Sequence, residues 1–382
     1  MTTNATFSAS DSKRWLSCPG SVQLSQRIDF EEPLSESRLE GKAAHWVLEQ
    51  KIKGKSPLMP CTAPNGVQVT DEMHEHADFI IADIISCGVK LNPVFSEARV
   101  YIDWLLPGQY GIADYKWYDT ETDTLWIWEY KYGHRNVEVK DNSQGAYYAC
   151  DQRWINTVKN VVFTLYQPRG FHPDGVLRRW EFDRNVLMTW VDRFKKGRDA
   201  ALAVDASLIV GDHCSLCPAR GMCPGLFERI DELKTVLDAP PSLTPEDVGK
   251  RLRMLEELYT LSGDAKTALH TQGLHFVRKG FALPGFKLAT KQTKRQLTDV
   301  ARLLSAAPMF GVEIKSLYET DKLKPLSALE KILPPALVDM CTTKPEGKPV
   351  LVPDTDLRDG VSTMAEAVFN SPVTMPDGAR PL

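Results

Sequence analysis

The sequence has 382 residues, of which 43% are hydrophobic and 25% are charged, and its formal net charge is −4. This composition is ordinary for a soluble globular protein, and the length predicts two domains. No apolar run approaches the ~20 residues that span a bilayer, and the N-terminus has no signal-peptide pattern. We therefore expect a cytoplasmic protein without membrane contact, whose net charge gives no sign of a strongly basic surface.

Hydrophobic patterns predict alternating helices and strands through the first 225 residues. Two longer helices are followed by three strands that form an antiparallel meander, then by a helix, two strands and a closing helix. This order predicts a mixed α/β sandwich, in which the helix after the third strand carries the crossover to the fourth. The predicted elements are helices at 37–53, 71–87, 141–156 and 184–204, and strands at 95–103, 111–118, 123–132, 161–167 and 176–182.

The composition changes after residue 225. Helices are predicted at 226–237 and 244–273, separated by a proline-rich linker, and a hairpin is predicted over 276–293. Short helices and proline-broken loops follow, with a tail that we expect to be mobile. The sequence therefore predicts a first domain at 1–225 and a mainly helical accessory region at 226–382, with DNA contact or oligomerisation as its candidate roles.

The third predicted strand, residues 123–132, begins as an aromatic-rich run and ends in Glu129-Tyr-Lys131. Charges at the end of a buried strand are unfavourable unless they are compensated. Antiparallel pairing can bring Asp114 of the preceding strand next to Glu129, and a cation or a proton would relieve their repulsion. Such oxygen ligands suit Mg²⁺ or Mn²⁺, and His45 would add an imidazole. Taken singly, each carboxylate also fits a solvated strand end, and His45 fits a half-buried histidine bonded to a carbonyl.

Four short motifs follow one another along these predicted elements. They are Gly41-Lys-Ala-Ala-His45, Gly111-Ile-Ala-Asp114, Glu129-Tyr-Lys131 and Gln144-Gly-Ala-Tyr-Tyr148. In this order they resemble the motifs of RecB-type nucleases of the PD-(D/E)XK superfamily. The resemblance implies a restriction-endonuclease-like core, a mixed central sheet flanked by helices. It also implies that His45, Asp114 and Glu129 bind metal and that Lys131 is catalytic.

The same resemblance gives a role to the helix after the third strand. Gln144 and Tyr148 are four residues apart and therefore share one helix face, whereas Tyr147 is out of register. In the RecB-type family this pair holds DNA and the active site. The literal Pro-Asp of the superfamily is absent because residue 113 is Ala113, a departure that RecB-type members commonly share.

Three cysteines are crowded at Cys214, Cys217 and Cys223, in the spacing C-x₂-C-x₅-C. A cytosolic chain uses such spacing for a metal site, with one ligand still missing. His213 would complete a local zinc site, and a remote cysteine, Cys18 being the best candidate, would complete a zinc or iron–sulfur site. An early cysteine joined to this late trio resembles the iron–sulfur staple of AddB-type and CRISPR-adaptation exonucleases. The resemblance favours [4Fe–4S] over zinc, and the cluster would close the domain around its catalytic motifs.

The resemblance covers residues 8–225, and the segment at 280–288 is similar to the C-terminal part of an uncharacterised phage and prophage family. Together these resemblances imply an Mg²⁺- or Mn²⁺-dependent DNA exonuclease in phage-type recombination, replication or DNA degradation. Such a protein would act in the host cytoplasm if it is phage-encoded. Linear DNA ends are the expected substrate, and a recombination or single-strand-binding protein is a candidate partner. Two alternatives remain open: a DNA-binding recombination scaffold with little catalytic activity, and a zinc-stabilised hydrolase acting on another substrate.

Overall fold

The computed structural model describes residues 6–29, 34–238, 240, 242, 244–319, 322–345 and 347–361. The chain divides into two compact units, Met1–Leu269 and His270–Leu382. None of the described helices has the length and apolarity that a membrane-spanning helix requires. The C-terminal tail, which the sequence predicts to be mobile, falls on residues 362–382 and lies outside the described residues.

The described part of the first unit contains a mixed sheet. Its strands are β1 (Ser96–Tyr101), β2 (Tyr110–Asp119), β3 (Thr124–Tyr130), β4 (Asn160–Tyr166) and β5 (Leu177–Asp183). They lie in the order β1-β2-β3-β4-β5. Neighbouring strands are antiparallel except for β3 and β4, which are parallel. A parallel pair requires a crossover, and the chain between β3 and β4 supplies it.

Helices cover both faces of this sheet. They are α1 (Ser12–Ser17), α2 (Ser21–Gln26), α3 (Glu36–Ile52), α4 (Asp71–Ser86), α5 (Ser143–Ala149) and α6 (Arg184–Leu202). The chain then continues in α7 (Pro224–Leu237) and α8 (Pro245–Arg278). Side chains alternate between the two faces along β3. Trp128 and Tyr130 pack with α3 and α4, whereas Leu125 and Ile127 pack in the core that α1, α5 and α6 share. The sheet is therefore the middle layer between two apolar cores.

Helix α5 approaches the sheet closely because of its N-cap and a glycine. The side chain of Asn142 accepts hydrogen bonds from the backbone N–H groups of Gln144 and Gly145, which fixes the first turn. A Cβ atom at Gly145 would come within 2.6 Å of the Phe163 ring on β4. Only glycine therefore allows this helix to pack so near the strand, and the close packing positions Gln144.

The antiparallel meander, the buried fourth strand and the edge strand predicted from the sequence are confirmed. The predicted helix over 141–156 is too long, because α5 ends at Ala149. Beyond it, Oδ1 of Asp151 accepts a hydrogen bond from the backbone N–H of Arg153 at 3.0 Å. Such a side-chain bond to the following backbone competes with helix continuation, so the chain turns here.

The first unit continues past residue 225. Leu226 and Leu233 of α7 pack with Leu261 and Ala265 of α8 and with Cys214 in one small core. The domain boundary predicted at residue 225 therefore falls inside this unit.

The second unit combines short helices with small sheets. Its elements after α8 are β6 (Phe286–Thr290), β7 (Gln296–Leu297), α9 (Val300–Ala306), β8 (Tyr318–Glu319), β9 (Lys322–Leu323), α10 (Leu326–Leu329), α11 (Pro335–Cys341), β10 (Thr342–Thr343) and β11 (Pro349–Pro353). The hairpin predicted over 276–293 is wrong. Residues up to Arg278 belong to α8, and β6 pairs with β11. The region after residue 225 is mainly helical only through α7 and α8.

Candidate active site

Three carboxylates lie side by side across the antiparallel strands. The pairing of β1 with β2 leaves Glu97 opposite Asp114, and the pairing of β2 with β3, continued by one residue, puts Asp114 opposite Glu129. Like charges directly opposite one another destabilise a sheet. The three residues, named here the carboxylate row, therefore form an arrangement that a cation would stabilise.

His45 reaches this row from α3. Its Nδ1 lies 3.0 Å from Oδ1 of Asp114, and Oδ2 of Asp114 accepts the backbone N–H of Tyr130 at 2.6 Å. Burial lowers the pKa of His45, but the charges of Asp114, Glu129 and Glu97 outweigh burial and raise this pKa to about 9. Burial raises the pKa of Asp114, but the charge of His45 and its hydrogen bond outweigh burial. The pKa of Asp114 is therefore lowered. The pair is thus an imidazolium and a carboxylate at neutral pH.

Glu97 is a site residue that the sequence analysis missed. Among the described residues, His45, Glu97 and Asp114 are the set of three metal-ligand candidates whose ligand atoms all lie within 4.8 Å of one another. Glu97 has φ +49°, a conformation that is uncommon for a residue with a side chain and is found where function requires strain. Desolvation and the Asp114 charge raise the pKa of Glu97 to about 7, although its side chain keeps solvent contact.

Glu129 belongs to a second group of contacts, centred on Gln144. The Gln144 amide accepts a hydrogen bond from Nζ of Lys131 at 2.8 Å and donates to Oε1 of Glu129 at 2.8 Å. The same Nε2 lies 2.8 Å from the hydroxyl of Tyr148, and Lys131 pairs with Glu129 at 2.8 Å. Gln144 and Tyr148, the two residues predicted to share a helix face, therefore lie against the predicted catalytic residues Lys131 and Glu129.

The protonation of this group follows from burial and charge. Burial and the neighbouring Asp114 charge raise the pKa of Glu129. Burial lowers the pKa of Lys131, but the Glu129 carboxylate outweighs it and raises the pKa of Lys131. Burial also raises the pKa of Tyr148 well above its usual value. At neutral pH Lys131 is a cation and Tyr148 is a neutral phenol.

His45, Glu97 and Asp114 fit a divalent metal ion. They offer two carboxylates and an imidazole at close range, the donor set that Mn²⁺ accepts and that Mg²⁺ accepts through oxygen. Glu129 adds a further oxygen: its Oε2 is buried, and no donor among the described residues bonds to it. A buried carboxylate oxygen without a partner is costly, and a cation nearby would satisfy it. Glu129 lies outside the tight set of three, so the predicted ligand trio of His45, Asp114 and Glu129 differs from that set by one carboxylate.

The four cysteines lie near one another at a separate corner of the first unit. His213 interacts with the thiols of Cys18 and Cys214, and these contacts raise its pKa to about 10. Burial raises the pKa of Cys217 and of Cys223, and the charges of Cys18 and Cys214 raise both pKa values further. The structure describes all four thiols, and no three of their sulfur atoms lie within 4.8 Å of one another. They are therefore further apart than the thiolates of a tetrahedral zinc site, whose Zn–S bonds are about 2.3 Å long.

The family described as "Protein of unknown function (DUF2800)" matches residues 4–359, and the chain belongs to this family. The match spans both compact units and includes the carboxylate row, Gln144, Tyr148 and the four cysteines. The family description carries no activity, so the function must be argued from the site.

Proposed function

We propose that this member of the DUF2800 family is a metal-dependent deoxyribonuclease with a PD-(D/E)XK core, acting as an exonuclease on DNA ends. The carrying observation is the carboxylate row beside His45 and Lys131, which crosses β1, β2 and β3 of the mixed five-stranded sheet. The crossover from an antiparallel meander to a parallel fourth strand, with α5 in between, also agrees with the proposed core. Linear DNA is the proposed substrate.

Metal binding would be the task of Glu97, Asp114 and His45, with Glu129 adjacent. A bound Mg²⁺ or Mn²⁺ ion supplies Lewis-acid activation of water and of the phosphodiester. His45 must lose its proton before its ring nitrogen can act as a ligand. Its 3.0 Å contact with Asp114 keeps the ring oriented towards the row whether or not the proton is present.

Lys131 supplies positive charge where negative charge develops on the phosphate. Because its pKa is raised, Lys131 remains protonated at neutral pH and acts as an electrostatic stabiliser and not as a general base. Gln144 fixes the ammonium and the Glu129 carboxylate relative to each other through its two amide atoms. Tyr148 holds the Nε2 side of that amide, so Gln144 and Tyr148 are positioning residues.

The four cysteines are proposed to bind a [4Fe–4S] cluster with a structural role. The support for this choice is the C-x₂-C-x₅-C spacing together with the electrostatic contacts that bring Cys18 near Cys217 and Cys223. Cys18 belongs to the N-terminal segment, whereas Cys214, Cys217 and Cys223 follow α6. A cluster on these ligands would tie both ends of the proposed nuclease domain together.

End-labelled linear DNA and circular DNA, incubated with Mg²⁺, Mn²⁺ or a chelator, test the proposed function. We expect loss of label from linear DNA with either metal, little attack on the circle, and no reaction with the chelator. Glu129→Gln should reduce the rate at least about 100-fold. Glu181→Gln is the matched control, since Glu181 is an exposed carboxylate on β5 of the same sheet.

Two results would overturn the proposal. DNA binding without cleavage under any metal would favour the recombination-scaffold alternative. Metal-dependent cleavage that is equally fast in folded Glu129→Gln would assign the activity to another part of the chain or to a contaminant.

A further inference from the structure

A cavity of about 320 Å³ is lined by residues of β1, of β2 and of the turn after α5. We name it the β1 cavity. Its volume is at the lower end of the range for small-molecule sites. Its lining includes Glu97, Arg99, Tyr101, Lys116, Tyr118, Arg153 and Trp154.

The β1 cavity carries an excess of positive charge. Lys116 and Arg153 both pair with Asp151, at 2.5 Å and 2.6 Å, and the side chains of Lys116 and Asp151 are 4% and 0% exposed. Arg99 has no carboxylate partner among the described residues, and its guanidinium lies over the Tyr110 ring at 4.8 Å. One buried carboxylate therefore serves two cations, and Arg99 is available to an anion.

Flat aromatic surfaces accompany these cations. The rings of Tyr118 and Trp154, which both line the cavity, stack with centroids 4.4 Å apart and planes 13° apart. The Arg153 guanidinium lies 4.8 Å from the centre of the Tyr101 ring. Guanidinium groups suit phosphate, and aromatic faces suit nucleobases of any sequence. The combination is the chemistry of a nucleotide site.

Glu97 connects the cavity to the carboxylate row, because it lines the former and belongs to the latter. We propose that the β1 cavity binds one nucleotide of the DNA strand next to the phosphodiester that is cleaved, with a phosphate on Arg99 and the base against the Tyr118–Trp154 pair. This inference rests on the proposed nuclease function. It assigns the substrate a path along the free edge of the sheet, which β1 forms.

Fluorescence anisotropy of a labelled single-stranded oligonucleotide, titrated with the full chain in a chelator that prevents hydrolysis, tests the cavity. Arg99→Gln should weaken binding about tenfold. Because one phosphate contact is lost, the slope of log K against log[salt] should fall by about 0.7. Arg99→Lys keeps a charge and should recover that slope. The fold should survive, since the Lys116 and Arg153 side chains bond to the backbone carbonyl of Arg99, which the variants retain.

Arg193→Gln is the matched control, because Arg193 also lies over an aromatic ring, Trp190 at 4.6 Å, but is on α6 outside the cavity. It should leave affinity and slope unchanged. A second arm replaces the oligonucleotide by deoxyadenosine 5′-monophosphate. If Arg99→Gln weakens binding of the mononucleotide and not of the oligonucleotide, the cavity holds released product and the proposal is wrong.

The two proposals fail in different ways. If the wild-type protein cleaves DNA while Arg99→Gln binds the oligonucleotide with unchanged affinity and salt slope, the cavity proposal fails and the nuclease proposal stands. If binding depends on Arg99 but no metal supports cleavage, the nuclease proposal fails and the strand-binding role of the cavity stands.

Discussion

The carboxylate row and the cysteine corner, which consists of Cys18, Cys214, Cys217 and Cys223, are both candidate metal centres. The fold positions them in different ways. Glu97, Asp114 and Glu129 lie on three adjacent strands whose backbone hydrogen bonds fix their spacing. Cys18 follows α1, whereas the other three cysteines lie about two hundred residues later in short turns. Direct ties between these segments include Ile209 N–H to the Cys18 sulfur, 3.3 Å, and Gly20 N–H to the Ser207 carbonyl, 2.9 Å.

The two centres should therefore respond differently to loss of the metal or cluster that they bind. A site carried by a sheet is formed before the metal arrives, so losing the metal should remove activity and leave stability nearly intact. A site that joins two distant segments gains much of its order from the ligand, so the binding free energy becomes folding free energy.

The largest expected effect is therefore on the cysteine corner. Cys18→Ser should lose iron and lower the free energy of unfolding of the first unit by at least about 3 kcal/mol. Cys61→Ser, at a half-exposed cysteine outside the corner, is the control, and it should keep the iron and the free energy of unfolding of the wild type. Metal analysis, the visible spectrum of anaerobically purified protein and denaturant unfolding measure the change. Stoichiometric zinc without iron in the wild type would contradict the iron–sulfur assignment.

The carboxylate row should bind metal more tightly as pH rises. Without metal, His45 holds a proton up to a pKa of about 9, and Glu97 holds one up to a pKa of about 7. Metal takes the deprotonated forms, so binding releases one proton above pH 7 and up to two below it. The apparent Mn²⁺ affinity should rise by up to about tenfold per pH unit between 7 and 9 and level off above 9. Calorimetry in two buffers of different ionisation enthalpy measures the protons released, and a pH-independent affinity would contradict the assignment of His45 as a ligand.

Glu97→Gln tests the residue that the register of the sheet adds to the site. We expect the Mn²⁺ concentration for half-maximal cleavage to rise about tenfold, because one charged oxygen ligand is replaced by a neutral one. Thermal stability should not fall, since a like-charged neighbour of Asp114 is removed. Glu181→Gln again serves as the control, and an unchanged metal requirement in Glu97→Gln would remove Glu97 from the site.

The smallest effect is expected for Tyr148→Phe. The phenol lies 2.8 Å from the Gln144 amide, and its loss costs one hydrogen bond, about 1 kcal/mol, or about fivefold in cleavage rate. The metal requirement should not change, because Tyr148 contacts a positioning residue. The cleavage rate at saturating Mn²⁺ and the Mn²⁺ concentration for half-maximal cleavage, measured together, separate a positioning role from a metal-binding role. A large shift in the metal requirement would contradict the positioning role.

Much of the site could be predicted from the sequence because its residues occur in short motifs on strongly patterned elements. Glu129 and Lys131 stand at the end of an apolar strand, where charge is unexpected, Asp114 follows Gly-Ile-Ala within β2, and Gln144 and Tyr148 share a helix face. Glu97 could not be found in this way. It lies in an alternating strand as an exposed residue, and its importance depends on the register with β2 and on its positive φ. A meander with a carboxylate on each strand was the available signal.

The C-terminal part shows where local patterns fail. Glycines at 280 and 285 do mark turns, with φ of +89° and +78°. The sequence prediction joined the residues on both sides into a hairpin, whereas the partner of β6 is β11, about sixty residues further on. Pairing between strands so distant in sequence depends on tertiary packing, which turn residues do not reveal.

The most decisive test of the proposed nuclease site is the single-turnover rate of cleavage of end-labelled linear DNA with Mn²⁺, compared between wild type and Lys131→Gln. The glutamine keeps an amide donor near Glu129 but removes the charge that would stabilise the transition state. We expect cleavage by the wild type and a rate at least about 100-fold lower in the variant, with unchanged oligonucleotide affinity and an unchanged far-UV spectrum. Equal rates in the two folded proteins, or no cleavage by the wild type with any divalent metal, would contradict it.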